Sequence, residues 1–239
     1  MIQALANKSK EIGLEVNIEK TKVMTNTVEV DINLQGNTLE YVSEYVYLGQ
    51  IISPKDLMSK EVSRRITNGW KKYWALKEIM KSKVLNTHIK TKTFNTCILP
   101  CLTYGAETWS LTSNHREQLV RCQRAMERSM LGFKLKDKIR NSAIRSRSKV
   151  VDILKRIDHL KWGWTGHMLR SPIEKWSKRI TLWYPRDCAR KQGRPIRRWE
   201  DEFRQTLGPY WMRVAADRGY WKQLEEAYAR RHIETRDII

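Results

Sequence analysis

The chain has 239 residues, 41% of them hydrophobic, which is enough to bury a core in one or two domains. Lys and Arg number 46 against 26 Asp and Glu, so the formal net charge is +20 and the pI is near 10.0, a balance that points to a polyanionic partner and to nucleic acid first. No apolar run reaches the roughly 18 residues that span a bilayer, and the opening MIQALANKSK lacks the order of a signal peptide. Cys97, Cys101, Cys122 and Cys188 fit reduced thiols better than a disulfide framework. The expected setting is therefore intracellular, nuclear or cytoplasmic, without a membrane partner.

Ile2, Leu5, Ala6, Ser9 and Ile12 recur at three and four residues, which predicts a helix that Gly13 stops. Leu14, Val16 and Ile18 alternate as a strand does, and Val28, Val30, Ile32 and Leu34 alternate again before a turn at Gln35, Gly36 and Asn37. Residues 41–53, YVSEYVYLGQIIS, are crowded with aromatic and β-branched side chains, which favours a strand packed on one or both faces. Gly49 stands where a positive φ or close approach is needed.

Beyond residue 55 the pattern is helical. Val62, Ile66, Trp70, Tyr73 and Trp74 mark an apolar face, with Arg64, Arg65, Lys71 and Lys72 among the charges around it. Asn86 or Thr87 is placed to cap a further helix, which Pro100 should kink or end. Asn114 with Glu117 reads as a capping box for a helix with Leu119, Cys122, Met126 and Met130 on one face, closing at Gly132. Cys97, Cys101, His115 and Cys122 have the donor types of a tetrahedral zinc site, but Cys122 falls on an inward helix face, where a thiol acts as a small hydrophobe.

Residues 134–149 hold Lys134, Lys136, Lys138, Arg140, Arg145, Arg147 and Lys149 against the single acid Asp137, and read as a linker or basic loop. Val151, Leu154, Ile157 and Leu160 begin a helix that Gly163 and Gly166 should break. Seven of the ten tryptophans lie beyond this point, most of them expected in a core; Trp162 and Trp164, flanked by glycines, are the candidates for stacking on unpaired bases. Gly193, Arg194 and Pro195 have the core of an AT-hook, whose arginines enter a narrow minor groove, although Gln192 replaces the usual first arginine.

Four stretches carry a family resemblance. GLEVNIEKTKVM at 13–24, the YLG of residues 41–53, LPCLTYGAETW at 99–109, and the block from KWGWTGHMLR at 161–170 to GRPIRRWEDE at 193–202 resemble the end of the palm, the thumb and the post-thumb region of LINE-type (non-LTR) retrotransposon reverse transcriptases. In that family a GL-x-x-N-x-x-KT strand precedes a YLG hairpin that grips the primer; the matching residues are Gly13, Leu14, Asn17, Lys20 and Thr21, then Tyr47, Leu48 and Gly49. The resemblance implies that Arg64, Arg65, Lys71 and Lys72 lie on a thumb helix and meet phosphates. Polymerase chemistry uses two metal ions on closely spaced carboxylates, and no Asp-Asp pair occurs; Asp31 and Asp56 stand alone, and Glu200, Asp201 and Glu202 read as a solvated helix start. The implication is a chain that opens after the catalytic hairpin and holds no catalytic residue, metal or cofactor, with Mg²⁺ only in an intact polymerase and the upstream polymerase domains as partners.

The expected fold is mainly α, with a small α+β unit at 1–54, a thumb-like helical domain at 55–133, a basic linker at 134–149 and a Trp-rich basic region at 150–239. The expected function is binding of RNA or DNA as a template–primer duplex, through Lys20, Tyr47, Leu48, Gly49, Arg64, Arg65, Lys71, Lys72, Trp162, Trp164, Arg194, Arg197 and Arg198. A stand-alone DNA-binding protein derived from such an element, or a non-functional relic, are the alternatives.

Overall fold

A computed structural model describes residues 1–53, 57–172, 175–183 and 198–230, and the fold is mainly α with small sheet elements. It divides into two compact units, Met1–Glu61 and Val62–Ile239, the division falling inside a helix.

In the first unit α1 (Ile2–Glu11) buries Ala6, and Gly13 leaves it with the expected left-handed φ of 77°. The strands described are β1 (Lys22–Val23), β2 (Asn33–Leu34), β3 (Asn37–Thr38), β4 (Glu40–Tyr41), β5 (Tyr45–Tyr47) and β6 (Gln50–Ile52). β1 pairs with β4 in parallel, while β2–β3 and β5–β6 are antiparallel hairpins. The strand expected at Leu14, Val16 and Ile18 does not form. Asn17 explains this: its Oδ1 accepts the Lys20 amide at 2.9 Å and its carbonyl accepts the Thr21 hydroxyl at 2.7 Å, a local turn that competes with a ladder. Gln35 and Gly36 (φ 52° and 81°) and Leu48 and Gly49 (φ 48° and 74°) form two-residue left-handed hairpin turns, which suit the strand twist. Leu34, Leu39 and Ala6 make the core, and Ile51 is buried, its amide donating to the buried Glu61 carboxylate at 3.0 Å. Tyr45, Val46, Tyr47, Leu48 and Ile52 are exposed, so the hairpin is less packed than its composition predicts.

The helix that crosses the division is α2 (Leu57–Ala75), followed by α3 (Lys77–Met80) and α4 (Thr87–Thr93). Asn86 caps α4 by accepting the Ile89 amide. Pro100 neither ends nor sharply breaks the run: a π-helical turn at Phe94–Ile98 shifts the hydrogen bonds so that the Leu99 amide reaches the Phe94 carbonyl, and α5 (Leu99–Thr103) starts with Pro100 in its first turn, where no amide is needed. α6 (Ser113–Leu131) is capped by Thr112 with His115, two residues earlier than the Asn114 and Glu117 expectation, and closes at Gly132 with φ 79°. Leu119, Cys122, Met126 and Met130 are buried along it as the spacing requires.

Residues 134–149 are more ordered than a linker. They contain α7 (Asn141–Ser148), whose Ile144 and Ser148 are fully buried, and the second unit runs through both ends of this segment. Ile144 seats the helix, Arg145 is half-buried against Asp152, and Arg147 stays outside. α8 (Ile153–Arg170) then runs unbroken through both glycines. Gly166 is there for space, since a Cβ would lie 2.5 Å from the Trp221 indole nitrogen. α9 (Trp176–Leu182), α10 (Asp201–Leu207), α11 (Trp211–Ala216) and α12 (Arg218–Arg230) complete the described elements.

Aromatic rings form the core of this region. Trp162 and Trp221 stack at 3.6 Å, and each indole N–H donates to the other's carbonyl, at 2.9 and 3.0 Å. Phe203 stacks on both Trp211 and Tyr228. Such pairs add about 0.5–1.5 kcal/mol each beyond the area they bury. Beside them lies an ionic quartet that overturns the solvated reading of Glu202. Glu202 is 2% exposed and accepts from Arg116 at 2.9 Å and from Lys161 at 3.0 Å, while Asp158 also takes Arg116, at 3.2 Å. Burial opposes the Arg116 charge, but the two carboxylates outweigh it and hold its pKa above the ordinary value; for Lys161 burial wins and the pKa is lowered. A second buried network ties α6 to the start of α8. Arg124 donates to Glu127 and to Asp152 (2.9 Å), and the Ser148 hydroxyl donates to Glu127 at 2.7 Å.

Candidate nucleic-acid interface

Helical spacing puts Arg65, Asn68, Lys71, Lys72 and Ala75 on one face of α2. The opposite wall comes from α5 and its exit, because the π-helical turn carries Pro100 and Cys101 round to this side and Gly105, at φ 75°, turns the chain after Tyr104. The two walls enclose an open groove of about 620 Å³, and among the described residues its lining includes no acid. Close approach of the helices depends on Gly69, where any Cβ would collide with Leu102. Lys71 and Lys72 are exposed; Arg65 is 6% exposed and lies with its guanidinium 4.7 Å from the centre of the Tyr104 ring, which itself is 54% exposed. The groove thus offers two exposed ammonium groups, one guanidinium held against a ring and a partly open aromatic edge. That set can neutralise phosphates and pack against a sugar or base.

Three of the α2 expectations therefore come together, Arg65, Lys71 and Lys72, whereas Arg64 is half-buried on the same helix and does not line the groove. In the first unit Lys20 is exposed on the Asn17 turn, its carbonyl accepting from the Tyr45 hydroxyl at 3.3 Å. Tyr47 and Leu48 project from the hairpin at 57% and 76% exposure, with Gly49 supplying the turn.

The tryptophan expectation needs correction. Trp162 is 1% exposed with its ring covered by Trp221, so it is a core residue and no platform for a base. Trp164 is half-buried, 5.5 Å edge-on from Trp199, and lines a cavity of about 410 Å³ together with Trp183, Trp199 and Arg198. Arg194 and Arg197, with all of the AT-hook stretch except Arg198, lie outside the described residues, as does Cys188.

Of the zinc candidates, Cys122 is buried and its thiol is pushed up to about 12 by burial. His115 accepts the Thr112 amide at Nδ1, and the Cys101 thiol donates to the Cys97 carbonyl at 3.2 Å. Among the described residues no three His, Cys, Asp or Glu side chains are grouped to hold a metal ion, and no helix is long and apolar enough to cross a membrane.

Comparison with known proteins gives the class: this is a chain of transposon origin. A transposon-derived protein of Caenorhabditis elegans is 30% identical over 240 residues, covering 92% of this chain and 86% of the relative, and the chain belongs to that family of transposon-derived proteins. No family model and no solved structure matches it.

Proposed function

We propose that this transposon-derived chain binds nucleic acid and acts as the thumb and post-thumb region of a LINE-type reverse transcriptase, holding a template–primer duplex of RNA or DNA. The observation that carries the reading is the groove between α2 and α5, where Arg65, Lys71 and Lys72 line up at helical spacing in a chain of net charge +20. The resemblance at residues 13–24, 41–53 and 99–109 supports the polymerase assignment, and the transposon-derived relative is consistent with it. Holding is the role assigned, and the upstream polymerase domains are the proposed partners for chemistry.

The test is binding of the purified chain to an RNA hairpin, duplex DNA and an RNA–DNA hybrid across a salt series, with primer extension scored in the same samples. Steeply salt-dependent binding without extension is expected. Lys71→Gln/Lys72→Gln should lower the slope of log Kobs against log salt by about 1.8 on a duplex, two phosphate contacts' worth. Absence of wild-type binding at moderate salt would overturn the proposal, and extension would overturn the holding role.

A further inference from the structure

The turn from α6 into α7 concentrates positive charge more than any other described segment. Residues 134–149 carry seven Lys and Arg and one acid. That acid, Asp137, already accepts the Lys134 amide at 2.8 Å, and Arg145 already lies 3.6 Å from Asp152. Lys136, Lys138, Arg140 and Lys149 are exposed. The segment borders a hollow of about 340 Å³ at the end of α6, whose lining includes Lys81, Arg128, Phe133, Lys134 and Leu135 and, among the described residues, no acid. Its cations are held in place beforehand. Lys81 sits 5.6 Å over the Trp74 ring, Arg128 donates to Asn141 at 2.5 Å, and Arg147 lies 5.3 Å over Phe133. Pre-set side chains lose less entropy when a ligand arrives.

The backbone adds an independent sign. Lys138 follows the 3-10 turn Leu135–Asp137, and Lys149 follows α7, with φ of 48° and 51°. Both are left-handed positions after a helical turn, where glycine is the natural residue and a lysine is strained. The chain keeps a charge where stability alone favours glycine, and such strain gathers at functional positions.

We infer that this corner is a second phosphodiester-binding surface, contacting the backbone of the nucleic acid without reading its sequence and sharing no lining residue with the α2–α5 groove. The inference rests on the nucleic-acid reading above. An anionic bilayer is the less fitting anion, because α7 turns its apolar Ile144 into the core and leaves Asn141, Ser142, Ser146 and Arg147 outside, and the exposed Leu135 on the preceding 3-10 turn adds a single apolar side chain where insertion needs a face.

The experiment compares three double variants of the full chain on a labelled RNA hairpin with a single-stranded tail, across salt, with thermal midpoints measured alongside. Lys138→Gly/Lys149→Gly removes the strained lysines, Lys81→Gln/Lys134→Gln removes two of the cations that line the hollow, and Arg218→Gln/Lys222→Gln on α12 is the charge-matched control. Both corner variants should weaken binding about tenfold and lower the salt slope by about 1.4, two single-strand contacts' worth, with the glycine pair melting at or above the wild-type temperature. The control should change little. Corner variants that bind like the control would overturn the inference while leaving the groove reading standing. Loss of vesicle binding to phosphatidylserine membranes, with RNA affinity intact, would overturn it in favour of a membrane surface. A wild type that binds no nucleic acid would remove the parent reading and this one with it.

Discussion

Two glycines three residues apart on α8 have opposite roles. Gly166 faces Trp221 so closely that a methyl group must displace the indole, whereas a Cβ at Gly163 meets nothing within 4 Å. Gly166→Ala should therefore destabilise by about 1–3 kcal/mol through overpacking, while Gly163→Ala should stabilise by up to about 1 kcal/mol from helix propensity; denaturant midpoints of the two variants check the pair. Glu127 supplies a pH signature. Burial raises its pKa above the usual Glu range, against the opposing pull of Arg124. Its folded pKa lies above its unfolded one, so its contribution is full below the ordinary Glu pKa and is lost as pH rises through the folded value. Relative to Glu127→Gln, the wild type should lose stability as pH rises above the ordinary Glu value of about 4.3, read as the difference of thermal midpoints; a constant difference would count against the shift. At this scale the sequence was a poor guide to charge. Glu202, Arg116 and Lys161 look like solvent-facing residues because their partners stand 86 and 41 residues away, and no local pattern records that.

Element by element, what repeats with a helical period was legible. The buried positions of α6, the Asn86 cap and the left-handed glycines at 13, 49 and 132 all follow from spacing and turn chemistry. Elements set by competition were not legible: Asn17 suppresses a strand, and the π-helical turn absorbs Pro100. The groove shows the same split, since the α2 stripe is readable from its spacing while its far wall depends on that turn. Asp152 illustrates how one residue can serve two elements. It caps α8 by accepting the Leu154 and Lys155 amides at 3.0 and 3.2 Å, and it also holds Arg124 of α6. Asp152→Asn keeps the cap and loses the ionic partner; Asp152→Ala loses both. The alanine variant should be less stable than the asparagine variant by about 1 kcal/mol, measured by equilibrium unfolding.

Over the whole molecule, apolar burial is distributed unequally between the units. The first has a core of Ala6, Leu34 and Leu39 under strands of two or three residues, while the second buries stacked tryptophans and two ionic networks. Amides of β2, β3, β5 and β6 should exchange with solvent far sooner than those in the middle of α6 and α8, as hydrogen exchange read by mass spectrometry would show. Uniform protection would refute that ordering. The mainly α class was legible because long periodic segments dominate the chain, whereas the division inside α2 was not, since a continuous helix leaves no composition break. The quartet of Arg116, Asp158, Lys161 and Glu202 also constrains descent. Removing one partner strands a buried charge at about 3–5 kcal/mol, although replacing a whole buried set by apolar residues is often neutral. An apolar replacement is reached only through intermediates less stable than either end, so for a lineage changing one codon at a time the four residues are inherited or lost as a block.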